Sequence, residues 1–251
     1  MKVTIVIPAY NEQNRIGTTL QAYCAYFNER KMSEPAFDYQ LLVALNGCTD
    51  NTAHVVQEIA QQEPAVHMIM CPRAGKGEAL IYGFGDALRR TADLIGFVDA
   101  DMATAPQYFD ELIKHAQQAD GVIASRYMPG ATVIPTRPFF KRWGSKLVYE
   151  SLVTVLFGMR YYDYQCGAKL FNRAVIERII DQLTVKQWAL DVELLFLCKK
   201  YGYTIKEIPT YWCDRKDSKL SVIKGGARMI GGLFKVRLQH STLARLLRSR
   251  G

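Results

Sequence analysis

The sequence predicts an α/β fold built on a mostly parallel sheet with helices on both faces. Three observations carry that expectation. Short apolar runs alternate with stretches of helical periodicity through the first hundred residues. The runs are almost continuously apolar, as strands covered on both faces require. Polar and acidic residues gather directly after several of the runs, the edge where open α/β sheets collect ligands. At 251 residues and 49% hydrophobic composition, the chain can bury a full core.

Each element follows from its pattern. Val3–Ile7 reads as the first strand, and Ile16, Leu20, Tyr23 and Phe27 then fall on one helical face. Leu41–Leu45 is the second strand. Asp50-Asn51-Thr52 is a helix start ahead of Val55, Val56 and Ile59. Val66–Met70 is a third strand, Gly77–Arg90 a helix through Leu80, Phe84, Ala87 and Leu88, and Leu94–Val98 the fourth strand. A helix begins near Pro106. Beyond Ala124, Pro129-Gly130, Pro135 and Pro138 mark Arg126–Pro138 as a loop. Phe139–Phe157 and Gln187–Tyr201 read as helices and Tyr203–Ile208 as a late strand. The expected organisation is one domain over residues 1–221 and a basic amphipathic extension over 222–251.

Six cysteines are scattered without a C-x-x-C pair. That argues for reduced thiols and against a disulfide framework or a zinc site. Met1-Lys2 runs straight into the first strand, so no signal peptide is expected, and the apolar run Ser151–Met159 is too short to cross a bilayer. The expectation is a cytoplasmic protein, peripheral on the membrane face. Its net charge of +8 sits in the tail: residues 216–251 carry nine Lys or Arg against Asp217, and residues 1–215 are balanced. Apolar residues interleave with those charges, a pattern for an anionic membrane surface or for a solvated helix packed on the domain. Nucleic acid is not expected, because no aromatic platform accompanies the charge.

The fourth strand ends in Asp99-Ala100-Asp101. Two carboxylates so close repel each other and lose hydration. One could cap the helix near Pro106 while the other faces water; with this placement in the chain, a divalent cation shared with a diphosphate is favoured. Gly75-Lys76-Gly77 lacks the spacing of a P-loop. Lys76 at a helix start suits a phosphate, or it is a surface lysine in a turn. Arg126, Arg137, Lys141, Arg142 and Lys146 form either a second anion site or a solvated face.

The order of these stretches resembles a family 2 glycosyltransferase of GT-A fold, in the dolichyl- or polyprenyl-phosphate glucosyltransferase and mannosyltransferase branch. The likeness rests on Ile7-Pro8-Ala9-Tyr10-Asn11-Glu12, Asn46 through Thr52, Ala74 through Ala79, Asp99-Ala100-Asp101 and Ser125-Arg126-Tyr127. It continues with Asp163 through Phe171, Asp191 through Leu195, Trp212 and Ser218-Lys219. It implies a nucleotide pocket of Pro8, Tyr10, Asn11, Glu12, Asn46, Lys76 and Asp99. Asp99 and Asp101 would hold Mg²⁺ or Mn²⁺, and Arg126, Arg137, Lys141 and Ser145 an acceptor phosphate. Asp163, Gln165 and Asp191 would belong to the catalytic centre, Asp191 where relatives with hydroxyl acceptors place a base. Leu45 and Asn46 stand where the family usually has two acids, the first of which often reads the base. Ala168 stands where an aromatic is common, and no counterpart of the C-terminal transmembrane helices of many relatives is expected within these 251 residues.

The implied reaction is metal-dependent transfer of a hexose with inversion. Its donor is a nucleotide-diphosphate sugar, UDP favoured over GDP and glucose favoured among sugars, and its acceptor a polyprenyl or dolichyl phosphate. Rival readings are a transferase acting on a sugar or protein hydroxyl in the cytosol and a non-catalytic nucleotide-sugar-binding protein. Oligomeric state is left open.

Overall fold

The computed structural model describes residues 1–135, 149–185, 187, 189–213 and 222–241. Strands β1 (Lys2–Ala9), β2 (Asp38–Leu45), β3 (Val66–Met70) and β4 (Leu94–Val98) lie parallel, in the order β3-β2-β1-β4. Between them run α1 (Ile16–Ser33), α2 (Thr52–Gln62) and α3 (Lys76–Arg89), and α4 (Pro106–His115) follows β4. The expected strands and helices of this half occur where the periodicity puts them. Ile16, Leu20, Tyr23 and Phe27 of α1 are fully buried.

Alternation on the strands builds two cores. Val3, Ile5 and Ile7 pack with Leu41, Val43, α1 and α4 on one face, and Val6, Leu42 and Ala44 meet α3 on the other. Gly83 lets α3 lie close on the sheet, since a Cβ there would stand 2.3 Å from Val6 Cγ1.

The second half departs from simple alternation. β5 (Gly121–Ser125) and β8 (Ile205–Pro209) extend the parallel sheet. Between β4 and β5 lies β7 (Ala168–Asn172), antiparallel to both, giving the order β3-β2-β1-β4-β7-β5-β8. The reversal matters for position. Loops after the parallel strands emerge at their carboxyl edge, whereas β7 delivers there the loop that precedes it, residues 163–167. The stretch expected as loop after Arg126 holds a short strand, β6 (Thr132–Ile134), paired with β9 (Tyr211–Cys213). Its backbone groups find partners in that distant segment, which local turn signals do not reveal.

Helix α5, over residues 149–157, precedes β7. α6 (Arg173–Ile179) and α7 (Leu190–Lys200) follow, and α8 (Val222–Gln239) comes last. A third core joins Val153 and Phe157 of α5, Val192 and Leu195 of α7, and Leu233 and Val236 of α8. Among the described residues no helix is long and apolar enough to cross a membrane. Arg137, Lys141 and Ser145, expected as acceptor-phosphate groups, lie outside the described residues, as do Arg142, Lys146, Ser218 and Lys219.

Candidate active site

The site assembles at the carboxyl edge, where chain ends of several strands converge. The loops after β1 and β2 are tied together. Asn11 adopts a left-handed conformation (φ 54°), and its Oδ1 accepts the Thr49 N–H at 2.8 Å while its Nδ2 donates to Thr49 Oγ1 at 3.2 Å. Gln13 Oε1 accepts from Asn51 N–H at 2.9 Å, and the Gln13 N–H donates to Asp50. Asn46 is buried just after β2, and Tyr10 is exposed beside the tied loops. Glu12 is engaged by Arg15, whose Nε and Nη2 donate at 2.6 and 2.8 Å.

Asp99 and Asp101 follow β4 directly. Lys76, at the start of α3, donates to Asp99 Oδ1 at 2.5 Å. Asp101 Oδ1 accepts the Ala103 N–H at 3.0 Å. Burial, and next the Asp99 charge, push Asp101 above the usual carboxylate range. Burial works against the Lys76 ammonium, yet Asp99, Asp191 and Asp101 hold it above its ordinary value. The acidic loop itself is fixed from below: Thr19 donates to the Ala100 carbonyl at 2.7 Å and Tyr23 to the Thr104 carbonyl at 2.9 Å.

Gly167, from the loop leading into β7, closes against this pair. A Cβ on Gly167 would stand 1.9 Å from Asp99 Oδ2, so any larger residue would displace the Asp99 carboxylate from this position. Two residues on, Lys169 is fully buried on β7, opposite Phe97. Its Nζ donates to Asp191 Oδ1 at 2.5 Å and to the Cys166 carbonyl at 2.7 Å. Asp191, in the first turn of α7, is thereby paired, and its charge still reaches Lys76.

The loop 163–167 is anchored by a second ion pair. Arg126, just after β5, binds Asp163 through both ends of its guanidinium, Nε–Oδ2 2.6 Å and Nη2–Oδ1 2.9 Å, with its backbone N–H adding a third bond. Trp212 lies 5.3 Å below the guanidinium. Asp163 Oδ1 also accepts the Gln165 N–H at 3.0 Å, which fixes the Gln165 backbone within the loop. Burial alone would raise Asp163; the Arg126 charge holds it below the usual range. Glu207 accepts the backbone N–H groups of Tyr162 and Asp163 from beneath.

The structure thus brings Asp99, Asp101, Lys76 and Asp191 into one electrostatic cluster and turns Arg126 and Asp163 toward each other. Sequence reasoning assigned no role to Lys169, Gly167, Arg15 or Glu207. For Lys169 the available signal was a lysine inside the apolar run Ala168–Phe171, since a charge in such a strand needs a buried partner.

Among the described residues no three His, Cys, Asp or Glu side chains come together as a ligand set. Asp99 and Asp101 suit a divalent ion that takes one or two carboxylates and draws its other oxygens from water and a phosphate ligand, the habit of Mg²⁺. The raised Asp101 fits this donor role, because a cation would relieve its unfavourable charge. A cleft at the opposite edge of the sheet, lined by Asp93, Asp120, Asn172 and Thr204, has no such grouping. There Asp93 accepts from the Lys2 N–H and Asp120 from the Thr204 N–H.

Comparison with known proteins identifies the family. The chain is 33% identical over 243 residues to dolichyl-phosphate beta-glucosyltransferase ALG5C of Trichomonas vaginalis, covering 94% of this chain and 70% of that one. It is 30% identical to the Drosophila melanogaster dolichyl-phosphate beta-glucosyltransferase, covering 96% and 76%. Its fold matches glucosyl-3-phosphoglycerate synthase of Mycobacterium tuberculosis, solved with Mn²⁺, UDP and phosphoglyceric acid. That match has a TM-score of 0.68 at 16% identity and covers 94% of this chain and 78% of that one. The profile of Glycosyl transferase family 2 matches residues 4–180. With that profile spanning most of the sheet, and with an acidic pair, a lysine and a paired aspartate gathered at its carboxyl edge, this chain belongs to glycosyl transferase family 2 and is a glycosyltransferase.

Proposed function

We propose that the enzyme transfers glucose from UDP-glucose to a polyprenyl or dolichyl phosphate, with inversion and with Mg²⁺ or Mn²⁺ bound at Asp99 and Asp101. The observation that carries the reading is the Lys76–Asp99 pair beside Asp101, at the end of a strand where a diphosphate can meet both charge signs. The names of the relatives, and the UDP and Mn²⁺ bound by the structural neighbour, support the donor, the acceptor and the metal.

In this scheme an oxygen of the acceptor phosphate attacks the anomeric carbon as the bond to the nucleoside diphosphate breaks. When bound, a divalent ion held by Asp99 and Asp101 would supply charge stabilisation to the leaving diphosphate. Lys76 adds a positive charge to the same group, and Asp99 and Asp101 hold the ion. The tied loops carrying Tyr10, Asn11 and Asn46 form the nucleotide pocket. An acceptor phosphate is already ionised at neutral pH and needs no proton removed. That agrees with the state of Asp191, whose carboxylate is occupied by Lys169 in the interior. Asp191 then orients the cluster through Lys169 and Lys76.

Calorimetric titration with UDP and with GDP, each with and without Mn²⁺, tests the donor half. Metal-dependent binding of UDP that is lost in Asp101→Asn is the expected result. Absence of binding by either nucleotide would overturn the donor assignment. With UDP-glucose as donor, a short-chain polyprenyl phosphate should be glucosylated; transfer only to a hydroxyl acceptor would overturn the acceptor.

A further inference from the structure

The last helix presents two faces with different fates. Leu233 and Val236 are fully buried in the third core, and His240 just beyond the helix is buried against α7. His240 Nε2 lies 2.7 Å from Glu193 Oε1, and Thr184 Oγ1 stands 2.5 Å from Gln239 Oε1. This side is latched to the domain. On the other side Ile230, Phe234 and Leu238 recur every four residues, one above the other, and are 36%, 47% and 68% exposed. Lys235 and Arg237 are exposed beside that row. At about 100° per residue they fall on its two sides, so the apolar strip has a basic border along each edge.

We propose that α8 is a membrane-docking helix. Its outer row, Ile230, Phe234 and Leu238, enters the interfacial layer of an anionic bilayer while its inner row stays packed on the domain. Charge selects the occupant. Residues 216–251 carry nine Lys or Arg and one acid, and the remainder of the chain is balanced, so the attraction to an anionic surface is concentrated at this end. A second copy of the chain would bring the same positive end against itself and be repelled. A nucleic-acid backbone would meet the charges but give the apolar row nothing to be buried in. A surface-lying helix also fits a segment that cannot span the bilayer. The latch gives the docking a consequence. Glu193, which holds His240, stands two residues from Asp191 in the first turn of α7, so the bilayer and the reaction centre are joined through one short helix. The surface deepens the polyprenyl-phosphate reading, which rests on other residues and can fail separately.

The test is sedimentation of the full-length protein with vesicles of phosphatidylcholine alone and with about a third phosphatidylglycerol. Binding is expected only to the anionic vesicles, and to weaken when salt rises from about 0.1 to 0.5 M. The double variant Phe234→Ser, Leu238→Ser should bind tenfold or more weakly, by about the loss expected for two apolar side chains. Its melting temperature should stay that of the parent, since neither side chain lies in a core. Equal binding by parent and variant, or no binding to anionic vesicles, overturns the proposal. So does a parent dimer in light scattering that the variant converts to monomer, which would make the row a contact between copies. Vesicle binding without UDP binding would leave the docking surface standing and remove the donor assignment.

Discussion

At the scale of single residues, one glycine and one buried ion pair decide whether the acidic pair can work. Gly167 packs against Asp99: a methyl group there would stand 1.9 Å from Asp99 Oδ2, so the carboxylate or one of the two loops must move. Gly167→Ala should therefore lower kcat by about a hundredfold or more, because displacement of a reacting group by an ångström has that scale of effect. Circular dichroism should remain that of the parent; unchanged transfer would show that Asp99 does not need this position. Asp191 and Lys169 form the second pair, buried together. Asp191→Asn leaves a lysine without its counter-charge, a change that costs about 3–5 kcal/mol. Its loss of activity thus mixes stability with chemistry. The double variant Asp191→Asn, Lys169→Met removes both charges and should recover more than half of that stability, read by denaturant unfolding. With a phosphate acceptor its kcat should stay within about a hundredfold of the parent, whereas a residue acting as general base would cost about 10² to 10⁴.

Elements differ in how far their sequence announces them. β1 through β4 and α1 through α3 are legible, because each satisfies a local period: Val3–Ile7 is apolar but for Thr4, and Ile16, Leu20, Tyr23 and Phe27 share a face. β7 is not legible as a reversed strand. Ala168–Asn172 is short, carries Lys169, and owes its direction to β4 and β5, which lie far away in sequence. β6 depends in the same way on β9. The candidate site divides similarly. The acidic pair stands out after an apolar run, but the Arg126–Asp163 and Lys169–Asp191 pairs exist only once β7 is inserted. The joint between α7 and α8 belongs to this second class and yields a pH prediction. Burial would raise Glu193, but hydrogen bonds from His240, Thr184 and the Val185 N–H hold it below its ordinary value of 4.5. An acid depressed on folding adds stability above that value, lost as pH falls through the folded pKa. Glu193→Gln should therefore be less stable at pH 7 and lose less on acidification below about pH 4.5. The acid limb that remains should reflect Asp163, depressed by Arg126, together with Asp38 and Asp50, which hydrogen bonds also hold below their ordinary values. A melting-temperature series from pH 3 to 8 would check both; parallel curves for parent and variant would remove the latch from the account.

For the whole molecule, the question is whether the basic end is an appendage or a part of the fold. Composition separates it, since residues 216–251 hold the entire charge imbalance. Packing joins it. Leu233 and Val236 lie in the same core as Val153, Phe157, Val192 and Leu195, and Glu193 has His240 as its partner in the interior. Removing residues 222–251 would open that core on one side and leave the Glu193 carboxylate without the imidazole. Losing the burial of two aliphatic side chains, Leu233 and Val236, accounts for about 3–6 kcal/mol. For a chain of this size that corresponds to a melting temperature lower by about 10 °C. The truncated chain should also bind UDP more weakly, because α7 carries Asp191 at the end nearest the lost contact. Loss of vesicle binding on truncation would then have two causes that sedimentation cannot separate. Substitution of the outer row alone separates them: Phe234 and Leu238 are exposed, so Ser in their place should reduce vesicle binding and leave the melting temperature unchanged. If truncation left both the melting temperature and UDP affinity at the parent's values, α8 would be an appendage, and docking at the membrane would have no mechanical path to the site.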